Sequence, residues 1–330
     1  MLLQPGQIIE TTGDNVVGLW QPSIVKVQEQ LFVIGGGGAL IDNLRVLDLL
    51  KMQWKTIIVK GKEAPRVYGH TATLWENSIV VFGGCDASGN YSNAIHIYDI
   101  QKQTWSQPAV DGTTHARYLH SASVYNNKLF VYGGFAKNKD CTYVLNELNV
   151  LDLLSFSWSK YENVMPRYNH SSTLMGHKLY IYGGKDVCGD TTSDLYVIDL
   201  SISPYTSRFI MKSDGMMLLK SKHFSVSVDG KLLVFGKYHP DSMYGLWMLD
   251  FNTLQWTKQA TDTHYFDTGA WNYFTALKDS SLVFVGNRDD VRPLGHDHFS
   301  PHYQTRDVLV LDSKCLEIPD INKTLQVSRL

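Results

Sequence analysis

The sequence predicts an all-β fold, a six-bladed β-propeller with four antiparallel strands in each blade. Two recurring stretches and the distance between their copies carry this prediction. The first is a short apolar run ending on glycine: Leu31 to Gly36, Ile79 to Gly84, Lys128 to Gly134, Leu179 to Gly184, Leu232 to Gly236 and Leu282 to Gly286. The second is an aspartate between apolar positions, at Asp48, Asp99, Asp152, Asp199, Asp250 and Asp312. Six residues after each come Trp54, Trp105, Trp158, Tyr205, Trp256 and Ile318. Six copies about 50 residues apart suit a propeller, because a repeat of four short strands cannot bury its faces alone.

Each element has its own reason. The β-branched runs before the glycines read as strands buried on both faces, and the glycines allow φ > 0 where the chain leaves the sheet beside another backbone. The aspartate sits at the turn from third to fourth strand, where it accepts hydrogen bonds from the turn's amides. The aromatic residue after it fills the wedge between adjacent sheets. Blade 1 is expected at Ser23 to Val27, Leu31 to Ile34, Leu44 to Leu47 and Trp54 to Val59, and blade 2 from His70 through Trp105 to about Ala109. Polar pairs such as Asn126-Asn127 and Asp229-Gly230 suit the hairpins between first and second strands. The longer connections from second to third strand, Gly37 to Asn43, Cys85 to Asn93, Phe135 to Asn146, Lys185 to Ser193, Lys237 to Gly245 and Asn287 to Arg306, all emerge on one rim. Two segments compete to complete the last blade, Gln7 to Glu10 and Leu316 to Ile318. The N-terminal one is favoured, because Pro319 ends the other and cannot donate to a ladder. Residues 1–330 are therefore read as one domain, with a loosely held tail at 320–330.

This pattern resembles the kelch-repeat family. The resemblance rests on the double glycine, the aromatic residue about 20 to 25 positions later, and the lead-in segments Arg66-Val-Tyr-Gly-His70, Ala116-Arg-Tyr-Leu-His120 and Pro166-Arg-Tyr-Asn-His170. It covers nearly the whole chain. Blades 5 and 6 depart from it, with Gly236-Lys237 and Gly286-Asn287 in place of the glycine pair. The resemblance implies a scaffold or adaptor that binds another protein or peptide, and no BTB or F-box segment accompanies it. A receptor for a peptide terminus and a propeller-type small-molecule enzyme are the alternatives.

Composition narrows the partners. A formal charge of −2, with 44% hydrophobic and 19% charged residues, supplies no general attraction to nucleic acid or an anionic membrane. Met1-Leu-Leu-Gln-Pro5 has no basic stretch followed by an apolar one, and no run of 18 apolar residues occurs, so the expected location is cytoplasmic. Four scattered cysteines, Cys85, Cys141, Cys188 and Cys315, do not make a disulfide framework.

The expected partner-binding residues lie in the lead-ins. They are Arg66, Tyr68, Arg117, Tyr118, Arg167 and Tyr168, with Lys222, His223, Asn272 and Tyr273 in the divergent blades. Sixfold pseudo-symmetry would bring them to the mouth of the central channel, where guanidinium forks and tyrosine rings bind carboxylates, phosphates or peptide backbone. The alternative is that they brace one blade against the next. His70, His120 and His170 are read as structural, bonded to backbone. His296, His298 and His302 offer imidazoles enough for a metal such as Zn²⁺, but no element fixes their spacing. A polar loop is their default reading, and no cofactor is expected. Neither a nucleophile elbow nor a phosphate-binding glycine loop occurs, so no catalytic residue is assigned.

Overall fold

The structure, a computed structural model, describes residues 7–14, 21–36, 44–139, 141–213, 223–237, 244–259, 270–277, 281–287 and 307–311. Every regular element among them is a β-strand. Twenty-four of these strands form six four-stranded antiparallel blades, which in blades 1 to 5 run outward from the axis in chain order. Blade 1 is Ser23–Val27, Gln30–Ile34, Leu44–Asp48 and Gln53–Ile57. Blade 2 is Thr71–Trp75, Ser78–Phe82, Ile95–Asp99 and Thr104–Ser106. Blade 3 is Ser121–Tyr125, Lys128–Tyr132, Glu147–Asp152 and Ser157–Glu162. Blade 4 is Ser171–Met175, Lys178–Tyr182, Asp194–Asp199 and Ser207–Lys212. Blade 5 is Phe224–Val228, Lys231–Lys237, Tyr244–Asp250 and Gln255–Lys258. Blade 6 takes Ala270–Ala276, Leu282–Asn287 and Asp307–Leu311 from one end of the chain and Gln7–Glu10 from the other.

That last pairing is antiparallel, from Gln7 opposite Val310 to Glu10 opposite Asp307, so the N-terminal strand fills the outer slot. Leu316 to Ile318 and the tail at 320–330 lie outside the described residues.

Six buried clusters each join two neighbouring blades. Phe32, Val46, Ile79 and Trp105 join blades 1 and 2, and Phe82, Ile97, Leu129 and Leu151 join blades 2 and 3. Val33, Trp54, Val283 and Val310 bring blade 6 back against blade 1, which closes the ring. Trp54, Trp105, Trp158, Tyr205 and Trp256 each pack toward the preceding blade. Five turn aspartates accept from amides of their own turns, as Asp152 Oδ1 does from Leu154 N–H at 3.0 Å and Ser155 N–H at 2.9 Å. In blades 5 and 6 the strand runs straight through Gly236 and Gly286, which pair with Gly245 and Asp307.

One device leaves little trace in the sequence. The linkers leaving the outer strands of blades 6 and 1 run parallel to the outer strand of the following blade, Thr12–Gly13 against Gln53–Trp54 and Lys60–Gly61 against Thr104–Trp105. Asp111 makes a single parallel bridge to Ser157 in blade 3. Gly61 has φ of 87°, and a Cβ there would stand 2.4 Å from Trp105 O, so glycine is required.

Candidate functional site

The lead-in segments cross from one blade to the innermost strand of the next on the rim that carries the longer loops. Tyr68 bridges to Cys85, Arg117–Tyr118 pairs with Phe135–Lys137, and Tyr168 bridges to Lys185. The next residue of each is left-handed, with φ of 62° at Gly69, 57° at Leu119 and 56° at Asn169, matched by 49° at Gln21. That turn lets the four residues bond in series around the axis. Gly69 N–H donates to Gln21 O at 3.0 Å, Leu119 N–H to Gly69 O at 2.8 Å, and Asn169 N–H to Leu119 O at 2.9 Å. Backbone therefore forms a collar at the channel mouth.

A second set of backbone bonds fixes which residues are equivalent. Gly36, Gly84 and Gly134 donate to the carbonyls of Val67, Arg117 and Arg167 of the next blade at 2.9, 2.8 and 2.8 Å. At Gly133 a Cβ would lie 2.4 Å from Arg167 O, which explains the glycine pair. Val67, not Arg66, thus stands where Arg117 and Arg167 stand. Arg66 lies one residue earlier and is exposed, which corrects its placement among the equivalent positions.

Arg117 and Arg167 do not face the mouth. Arg117 is fully buried and donates to Glu147 Oε1 at 2.5 Å, Thr114 Oγ1 at 2.8 Å, Gly133 O at 3.0 Å and His115 O at 3.1 Å. Glu147, on the third strand of the same blade, also accepts from Asn149 Nδ2 and pairs with His115 Nδ1, both at 2.9 Å, with Lys160 Nζ at 3.4 Å. Burial alone would raise its carboxyl, but the His115 hydrogen bond, the Arg117 charge and the Asn149 amide outweigh that and hold it at about 2. Arg167 repeats the arrangement with Asp194 Oδ2 at 2.7 Å and lies 5.7 Å from the centre of the Tyr196 ring. These guanidinium groups serve the interior of their own blades. The sequence signal for it is an acid five residues before the turn aspartate, Glu147 before Asp152 and Asp194 before Asp199, which the reading of the lead-ins alone missed.

The histidines tie blades together through side chains as well as backbone. His120 Nε2 lies 2.9 Å from Thr71 Oγ1 and His170 Nε2 lies 2.8 Å from Ser121 Oγ, each partner being on the preceding blade. His223 Nε2 lies 3.0 Å from Tyr182 O, and its 3% exposure removes it from the partner-binding set. Burial pushes His170 down to about 3 and His120 well below its usual range, so both are neutral at physiological pH. Tyr273 is half-buried in the wall of the axial channel. Lys222, the Asn272 side chain and the loop with His296, His298 and His302 lie outside the described residues. Among the described residues no three His, Cys, Asp or Glu side chains gather to hold a metal.

The tyrosines do come together. Tyr68 meets Tyr118 edge to face at 6.4 Å, Tyr118 meets Tyr91 at 4.7 Å and Phe135 at 6.0 Å, and Phe135 meets Tyr168 at 4.8 Å. Five half-buried rings thus form one band across blades 2, 3 and 4. Desolvation, above all, raises the hydroxyls of Tyr68 and Tyr118, keeping them protonated as hydrogen-bond donors. The loops beside the band hold themselves. Asp86 Oδ1 accepts from Ser88 and Asn90 N–H at 2.8 and 2.9 Å, and Asp186 Oδ1 from Cys188 and Asp190 N–H at 2.9 and 3.0 Å. Tyr91 lies beside the Asp86 loop and Phe135 on the short strand Phe135–Lys137, and no recurrence of rings at these places in other blades announces them.

With this geometry in place, comparison with known proteins is informative. The family model described as KLHDC2/KLHL20/DRC7 Kelch-repeats domain matches residues 21–165 and again residues 161–318. Protein ral2 of Schizosaccharomyces pombe is 33% identical over 94 residues, 26% of this chain and 15% of that protein. Dynein regulatory complex subunit 7 of Chlamydomonas reinhardtii is 31% identical over 120 residues, 33% of this chain and 10% of that protein. Rho GTPase-activating protein gacHH of Dictyostelium discoideum is 32% identical over 125 residues, 34% of this chain and 8% of that protein. The chain thus matches only a small part of each of these longer relatives. Among solved structures, that of YjhT superposes with a TM-score of 0.69 at 14% identity, covering 91% of this chain and 98% of that one, a likeness of fold.

Proposed function

Because the chain belongs to the kelch-repeat family, shown by a family model that matches residues 21–318 in two overlapping segments, we propose that it is a protein-binding scaffold or adaptor, acting by binding and not by catalysis. The observation that carries this reading is the band of Tyr68, Tyr91, Tyr118, Phe135 and Tyr168. Large aromatic rings with hydroxyl donors are hot-spot chemistry, giving much contact area for few rotatable bonds. The backbone of the three lead-in tyrosines is held on both sides by the collar and by the glycine–lead-in bonds, so little ordering of these rings is needed when a partner docks. The partner is a protein or peptide whose apolar side chains lie across three blades. The formal charge of −2 favours neither nucleic acid nor an anionic membrane as partner, and no helix among the described residues is long and apolar enough to cross a bilayer.

The test is a quantitative capture experiment with wild type and a Tyr118→Ala/Phe135→Ala double variant. Loss of two central anchors should weaken capture by about 2 kcal/mol or more, roughly thirtyfold, at an unchanged melting temperature. Undiminished capture by a folded double variant would remove the band from the binding face.

A further inference from the structure

The connection between second and third strands of blade 3 differs from its equivalents. In blades 2 and 4 it closes at once, through single bridges from Cys85 to Tyr91 and from Lys185 to Thr191, over turns held by Asp86 and Asp186. In blade 3 it rises as a hairpin, Phe135–Lys137 against Thr142–Val144, because aromatic and β-branched residues continue the ladder there. With Arg117–Tyr118 the hairpin makes a three-stranded sheet, and Thr142–Val144 is its outer strand.

Backbone bonding within this sheet fixes which way the outer strand points. Asn138 N–H donates to Cys141 O at 3.0 Å, so the alternation of an antiparallel ladder bonds Tyr143 to Ala136 and turns the N–H and C=O of Thr142 and Val144 away from the hairpin. Among the described residues nothing pairs with that edge. Its residues include no proline, lysine or bulge, the devices that ordinarily close an edge, and Thr142 is exposed. Val144 lies opposite Phe135 and shares the face on which Phe135 meets Tyr118 and Tyr168. Tyr143 points to the other face and meets His115 edge to face at 6.2 Å. A strand laid along this edge therefore sets alternate side chains in line with the band. A second copy of the chain could pair only three residues with three, too little for a stable dimer.

Resting on the reading of the band as a partner-binding surface, we propose that Thr142–Val144 is the docking edge for an extended segment of the partner protein, which adds as a further strand with apolar side chains at alternate positions. Backbone bonds to Thr142 and Val144 set its register, and the side chain opposite Val144 extends the row of rings. The probe is a library of short linear peptides displayed on phage and selected against the whole chain, the selected peptides then being synthesised and titrated by fluorescence polarisation. They should carry alternating apolar residues. Thr142→Pro and Val144→Pro should each weaken binding about tenfold or more at an unchanged melting temperature, since proline removes a donor that the fold leaves free. Thr142→Ala, which keeps that donor, should bind within about twofold of wild type. Amide exchange in wild type should slow at Thr142 and Val144 on binding, whereas Tyr143 is protected with or without peptide, and this pattern decides the matter if a proline variant melts low. If the proline variants bind like wild type while Tyr118→Ala/Phe135→Ala does not, the band stands and the edge falls; the reverse result keeps the edge and removes the band. Failure to select any peptide, selected peptides without alternation, or a dimer of the chain that the prolines dissolve would overturn the proposal.

Discussion

The sharpest test of the lead-in geometry is Arg117→Ala. If the guanidinium faced a partner, as the lead-in pattern alone suggests, its loss would weaken binding and spare the fold. The structure gives the opposite expectation. Removing Arg117 withdraws one charge from a Glu147 carboxylate that is 3% exposed and strips a donor from Gly133 O. Breaking a buried pair by deleting one partner costs about 3–5 kcal/mol, and His115, Asn149 and Lys160 remain to hold Glu147, so the lower end applies, about 3 kcal/mol. With an unfolding entropy of about 2 cal/mol/K per residue over 330 residues, that is a fall of about 4 °C in Tm. Deleting both partners in Arg117→Ala/Glu147→Ala should cost less than the sum of the singles, because no stranded charge is left. Thermal and urea unfolding of the four proteins measure the coupling. A coupling under about 0.5 kcal/mol, or an Arg117→Ala protein that melts like wild type, would refute the reasoning.

The remaining expectations follow from particular contacts. Trp105→Ala, at 2% exposure, should cost about 3–5 kcal/mol, and Trp158→Ala less, since that ring is only half-buried; chemical denaturation ranks them. Stability should fall as pH drops below about 6.5, because an unfolded histidine takes up a proton there while buried His170, at about 3, and His120 do not; the contribution is full above pH 6.5 and lost toward their folded values, up to about 1.4 kcal/mol per pH unit for each. Glu147, held at about 2, adds a second loss in the same direction below about pH 4.5. A melting temperature flat between pH 7 and 5 would contradict the neutral histidines. Removing residues 1–12 should uncover the edge of Asp307–Leu311 and take Ile8 and Ile9 out of two interblade clusters; size-exclusion chromatography should show aggregation and calorimetry a lower Tm.

What the sequence disclosed is what short-range backbone rules mark. Glycine pairs needed for left-handed turns, aspartates that bond their own turns and large rings at a fixed offset recur because every blade needs them. Pairings between residues far apart leave no such mark. Arg117 reaches Glu147 and Arg167 reaches Asp194 across separations of 30 and 27 residues, and only the third strand's register brings them together. The one-residue offset of Arg66 shows the same limit, since an arginine near a tyrosine looks equivalent until the Gly36–Val67 bond fixes the register. Tyr91 and Phe135 join the band from the connections between second and third strands, and only the three lead-in tyrosines recur as rings from blade to blade.

Under the proposed function, the buried arginines would bear on binding through position rather than contact. Tyr118 follows Arg117 directly, and the Arg117 carbonyl holds Gly84 of the preceding blade while its guanidinium holds Glu147 of its own. The ring at the centre of the band therefore rests on a residue fixed in two directions, and Tyr168 rests likewise on Arg167 through Gly134 and Asp194. Tyr68 follows Val67, which makes the carbonyl bond to Gly36 but has no side chain to form the ion pair. A surface held this way keeps its shape before a partner arrives, so the free energy of contact is not offset by ordering the rings.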